Sequence, residues 1–105
     1  MEITITITEK AKAQIITFLK EENDLEAKFR LYVSLSRAQG FEYSCTVDNE
    51  INEDDLILKY HVQENEFAVV VDSMSIQYLN GAVVDCILQD GMPSLVISNP
   101  NAQKD

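Results

Sequence analysis

Side chains that could do chemistry are sparse in this sequence. Cys45 and Cys86 are its only thiols and His61 is its only imidazole. Two thiolates could help to hold iron, but a closed zinc site or an iron–sulfur cluster takes about four ligands. Only pooling across an oligomer would bring Cys45 and Cys86 to that number. Both also have a plainer role. Cys45 alternates in phase with Phe41, Tyr43 and Val47, and Cys86 with Val84 and Leu88. A free cysteine packs as a small apolar residue, so core positions are expected for both. Thiol redox chemistry needs cations or a helix N-terminus near the sulfur, whereas Glu42 and Asp85 are the close neighbours here.

The remaining candidates are weaker. His61 sits in a strand-like run with no nucleophile motif around it, and a rim position is expected. Asp54-Asp55 and the acids around them lack the Asp-x-Asp-x-Asp-Gly spacing of a calcium loop, so a solvated loop over 48–55 is expected. Gly40, Gly81 and Gly91 are isolated and form no phosphate-binding loop. No catalytic constellation, and hence no enzyme, is expected.

The elements that would position these residues follow from periodicity. Ile3, Ile5 and Ile7 alternate with threonines, as in a half-buried strand. Thr8 offers a hydroxyl N-cap, and Ala11, Ile15, Phe18 and Leu19 then mark one face of a helix over about 9–22, ending near Asn23. Phe29, Leu31, Val33 and Leu35 alternate in a second strand, and Phe41 to Val47 in a third. The short link Ser36–Gly40 makes these two a hairpin. Strands near 56–62 and 66–72 follow. Phe67-Ala68-Val69-Val70-Val71 is apolar on both faces, which predicts a central strand. Asp72 or Ser73 can cap a short helix through Met74, Ile76, Tyr78 and Leu79, and Gly81 can stop it. Strands near 82–88 and 95–98 close an α+β pattern in a single domain over 1–105.

Charge excludes further classes. There are 18 acidic residues against 8 Lys plus Arg, a net charge of −10. Residues 1–37 hold six acids and six bases. Residues 38–105 hold twelve acids and two bases, Lys59 and Lys104, and so carry the whole −10. Nucleic-acid binding needs a cationic face, as does an anionic membrane surface; neither is expected. No apolar run approaches the roughly 20 residues that span a bilayer, and Met1-Glu2-Ile3-Thr4 does not read as a signal peptide. A reducing cytoplasm with free thiols is the expected setting.

In sum of motifs, the chain resembles the HesB/IscA-like family, the A-type carriers of iron–sulfur cluster assembly. The resemblance rests on Ile5-Thr6-Ile7-Thr8 followed by Ala11 and Ile15, on Phe29-Arg30-Leu31-Tyr32-Val33, and on Gln39-Gly40-Phe41-Glu42-Tyr43. It rests most on Val69 to Gly81, close to the family's Val-Val-Asp-x-x-Ser-x-x-Tyr-Leu-x-Gly, on Asp85, and on Asn99-Pro100-Asn101, where Pro100 fixes a turn. It implies a HesB-like α+β domain of two small mixed β-sheets, a longer N-terminal helix and a short second helix, one that often self-associates.

The resemblance also implies three ligand cysteines, the first in a Gly-Cys-Ser-Gly loop and two in a Cys-Gly-Cys after Asn-Pro-Asn. Here the loop reads Arg37-Ala38-Gln39-Gly40, with Ala38 in the thiolate's place, and the chain continues Ala102-Gln103-Lys104-Asp105. Cys45 and Cys86 match positions that are usually apolar or aromatic. The expectation is a relative of cluster carriers without the usual site and without a cofactor or metal. It would act through a protein partner, either an iron–sulfur assembly component or a second copy of itself. The alternative is an iron or iron–sulfur cluster carrier that uses Cys45 and Cys86 across an oligomer interface.

Overall fold

Among the residues described by the computed structural model, 3–22, 27–38 and 40–99, the alternating runs become seven strands and two helices. The order is β1 (Thr6–Ile7), α1 (Glu9–Glu21), β2 (Lys28–Ser36), β3 (Gly40–Asp48), β4 (Leu56–Val62), β5 (Asn65–Val71), α2 (Ile76–Leu79), β6 (Val83–Gln89) and β7 (Met92–Ser98). Two mixed sheets result. One runs β3-β2-β5-β4, with β2 parallel to β5; the other runs β1-β6-β7, with β1 parallel to β6. The apolar strand β5 is internal, as its two-faced hydrophobicity requires.

The core lies between the sheets and α1. Ile5, Ile7, Ala11, Ile15, Phe29, Leu31, Phe67, Val69, Val71, Leu79, Ala82 and Val84 are all buried in one cluster. Ile16 and Leu19 pack against it from α1; Phe18, expected on that face, is half-buried outside the cluster. Only Thr6 and Ile7 of the first alternating run pair as strand, because parallel pairing to β6 begins at Thr6↔Val83. The last two strands extend further than their alternation suggested, to the tight turn at Asp90 and Gly91, both with positive φ.

Thr8 joins three elements through one hydroxyl. It accepts the Ala11 N–H at 3.2 Å as the N-cap of α1 and donates to Asp85 Oδ1 on β6 at 2.7 Å. The Thr8 hydroxyl, with the Cys86 N–H that also donates to Asp85, holds the Asp85 carboxyl below the usual range. Thr8→Ala is expected to cost about 1–2 kcal/mol, from the lost cap and the lost cross-link. Thr8→Ser should recover most of it. Urea denaturation of both variants checks this, and equal losses in the two would refute it.

The second helix differs from expectation. It is one turn long, and its N-cap is Ser75. Ser73 instead donates to Asp54 Oδ2 at 2.8 Å, and Asp72 pairs with Arg30. Ser75 is buried because its Oγ accepts the Val33 N–H at 3.0 Å, beyond the point where β2 and β5 pair. Gly81 has φ +90, the left-handed geometry expected at the helix stop, and its N–H donates to Thr4 O at 2.7 Å. The helix end expected at Asn23 and the turn at Pro100 lie outside the described residues, as do Gln39, Asn101 to Asp105 and the side chains of Leu35, Ser36 and Phe41.

Candidate functional site

The loop that the resemblance assigns to the first ligand is the β2–β3 turn. Leu35↔Phe41 and Ser36↔Gly40 are the last rungs of the hairpin, and Gly40 has φ +84. Arg37 and Ala38 are exposed there. A methyl group and a guanidinium at this turn offer iron no ligand. Strand register sets the thiols apart. Cys45 lies opposite Leu31 in the four-stranded sheet, and Cys86 opposite Leu95 in the three-stranded one. Both are half-buried and pack against the core, unbridged by a disulfide. Burial pushes the Cys45 thiol above its ordinary range, the opposite of what a ligand or nucleophile needs. Among the described residues, no three His, Cys, Asp or Glu side chains come together as a metal site.

His61 lies at the rim as expected, 70% exposed, with Nε2 3.1 Å from Glu66 Oε2 across the β4–β5 pair. The acidic loop is largely exposed, as expected, but its two ends are not free. It is pinned by Arg30, an alternating polar position of β2 that is only 7% exposed. Arginine carries five N–H donors in a rigid fork, and here every one finds an acceptor. Nε donates to Asp48 at 3.1 Å. The two Nη atoms grip both oxygens of Asp55 at 3.3 and 2.9 Å, and also reach Asp72 and the Glu50 carbonyl, the latter at 2.9 Å. The Asp55 side chain is 2% exposed, and its other contact is the Asn52 N–H at 2.7 Å. Arg30 holds the Asp55 carboxyl below the usual range against the opposing effect of burial, and the aspartates raise Arg30 in turn. The hub ties β2, the end of β3, the 48–55 loop and the end of β5 into one rigid corner.

Asn99 was a motif letter without a mechanism in the sequence. Its Nδ2 donates to Tyr78 O at 3.0 Å and Asn80 O at 3.1 Å, clamping the end of α2. Asn80 Oδ1 accepts the Thr4 N–H at 2.9 Å. The side chains shared with the family pattern therefore build and brace the two-sheet frame, while the turn that would hold the first thiolate carries Ala38.

Comparisons with known proteins agree with this frame. A family described as iron-sulphur cluster biosynthesis matches residues 2–105. The iron-sulfur cluster insertion protein ErpA 2 of Methylococcus capsulatus is 40% identical over 99 residues, covering 94% of this chain and 73% of that protein. The insertion protein ErpA of Francisella philomiragia is 38% identical, covering 94% and 82%. Neither is an enzyme by name. Among solved structures, Escherichia coli SufA superposes with a TM-score of 0.77 at 20% identity, over 100% of this chain and 89% of that one. IscA with a 2Fe–2S cluster gives 0.75 at 18% identity, over 96% and 89%. These two show the shared fold. With a full-length family match and relatives near 40% identity, this chain belongs to the iron–sulfur cluster biosynthesis family.

Proposed function

We propose that this chain serves iron–sulfur cluster biosynthesis as a carrier-type domain that works through a protein partner in a reducing cytoplasm, without a cluster of its own at the family's first-ligand turn. The observation that carries the reading is Ala38. The fold keeps the hairpin that would present a thiolate and presents a methyl group there. The two thiols of the chain face the core from different sheets, which supports the same reading. The partner is either an iron–sulfur assembly component or a second copy, and the acidic surface favours one with a basic docking face.

Anaerobic reconstitution with ferrous iron and sulfide tests the proposal. After desalting, iron and sulfide should be far below one cluster per chain or per dimer, with no sulfur-to-iron charge-transfer absorbance. A stoichiometric cluster would overturn it. The competing arrangement, a cluster shared through Cys45 and Cys86 across an oligomer, would then be decided by Cys45→Ser and Cys86→Ser, each of which should abolish uptake. Cross-linking in the native host should recover a cluster-assembly protein or a dimer of this chain.

A further inference from the structure

The structure has a cleft on the side of the fold away from the β2–β3 turn. It exists because β2 and β5 pair only from Phe29↔Val69 onward. Residues 65–68 of β5 are held by β4 alone, and their other edge has no strand partner among the described residues. The C-terminal half of α1 and the start of β2 bound the gap, leaving a cavity of about 650 Å³. Its apolar wall includes Ile16, Leu19 and Phe67, and its polar lining includes Lys20, Lys28 and Lys59.

The charge there is out of character for the chain. Three of its six lysines line one cavity in a molecule of net charge −10. Most of the other described cations are met by carboxylates, and Arg37 is exposed at the β2–β3 turn, at the other end of β2. Lys12 pairs with Glu9, Lys10 faces Asp85, and Arg30 is taken up by its aspartates. Lys20 and Lys59 make no ion pair among the described residues. The described lining holds one acid, Glu66, whose Oε2 lies 3.1 Å from His61 Nε2. A concave apolar wall of this volume suits a single small molecule, and amines around it select a negative head group.

We propose that this cleft binds one amphipathic organic anion, an apolar body of about the length of a medium alkyl chain that carries a carboxylate or phosphate. The body lies on Ile16, Leu19 and Phe67, and the head meets Lys20 and Lys59. This site is separate from the cluster-handling question and does not depend on its answer.

Calorimetric titration of the full chain with monomeric decanoate tests the proposal, with decyltrimethylammonium and butyrate as comparators. Decanoate should bind saturably at one per chain. Decyltrimethylammonium should bind at least ten-fold more weakly for want of the anion, and butyrate likewise for want of the apolar body. The double variant Lys20→Glu, Lys59→Glu, whose side chains are at the surface, should lose at least ten-fold for decanoate and gain for the cationic amphiphile. Ala68→Phe should block decanoate by filling the cleft without changing charge. Equal binding of the cationic amphiphile, or decanoate binding untouched by the charge reversal, would overturn the proposal. So would binding of an acidic helical peptide, or of phosphatidylglycerol vesicles, in the absence of decanoate binding.

Discussion

Replacing Arg30 by methionine is expected to remove about 3–5 kcal/mol of stability at pH 7, the usual cost of stripping one partner from a buried ion pair. That is a large share of the roughly 5–15 kcal/mol that holds a domain of this size. The Arg30 side chain is 9% exposed and the Asp55 side chain 2% exposed, so water cannot replace the lost bonds without opening the corner. Asp48, Asp55 and Asp72 would be left facing one another, and the 48–55 loop would lose its anchor. The pH dependence gives a sharper signature. In the native chain Arg30 holds Asp55 below the ordinary carboxylate range. The unfolded chain therefore binds the proton more readily, and this contribution is present at neutral pH and lost as pH falls through the acid range. In Arg30→Met the buried carboxyl instead resists ionisation, its pKa rises above the unfolded value, and stability should increase as pH falls from 7 towards 5. Between pH 7 and pH 5 the wild-type contribution of Asp55 should stay nearly flat, because it is lost only as pH falls through the ordinary carboxylate range and below, whereas denaturant titrations of the variant over the same interval should show stability rising. Adding Asp55→Asn to the variant should recover part of the loss at pH 7. Parallel pH profiles would show that the hub is not an electrostatic unit.

The frame was legible in the sequence because periodicity records which face is buried. Val69 to Val71 announced an internal strand, and Thr8 announced a cap, since each property resides in a few adjacent residues. Arg30 was not legible in the same way. Alternation marks it only as polar and outward, and its five acceptors come from Asp48, Glu50, Asp55 and Asp72, which only the fold assembles. That also explains what was missed in the acidic loop: a run of carboxylates looks wholly solvated until a distant cation claims two of them, here Asp48 and Asp55. Asp72 or Ser73 was the cap expected from the sequence, but the helix starts later, after Ser75, whose hydroxyl caps nothing and instead accepts the Val33 N–H. The lysines of the cleft are spread over 20 to 59 and converge only because β2 starts late against β5. Ala38 needed no structure to notice, and the structure shows it exposed at the β2–β3 hairpin turn.

Association with the proposed partner should depend steeply on salt, with the on-rate falling at least ten-fold between about 10 mM and about 300 mM monovalent salt. Steering of this kind contributes about 10- to 1,000-fold to on-rates, and the Debye length shrinks from about 30 Å at 10 mM to less than 8 Å above 150 mM. The −10 charge resides in residues 38–105, and Arg30 neutralises only part of it. Glu50, Glu53 and Asp54 remain exposed on a loop that the Arg30 hub holds in place. A fixed acidic loop presents a directed field, whereas a mobile one would average it. Glu50→Lys with Glu53→Lys moves the net charge from −10 to −6, two units for each reversal, and leaves the Glu50 carbonyl that Arg30 uses. The double variant should slow association several-fold at low salt, flatten the salt dependence and change the off-rate little, because steering acts on encounter rather than on the docked contacts. Stopped-flow or surface-binding kinetics with the protein recovered by cross-linking measure both rates. A salt-independent on-rate would assign the acidity to solubility alone. A loss confined to the off-rate would place Glu50 and Glu53 inside the docked interface, since charge at the contact acts on residence and charge beyond it acts on arrival.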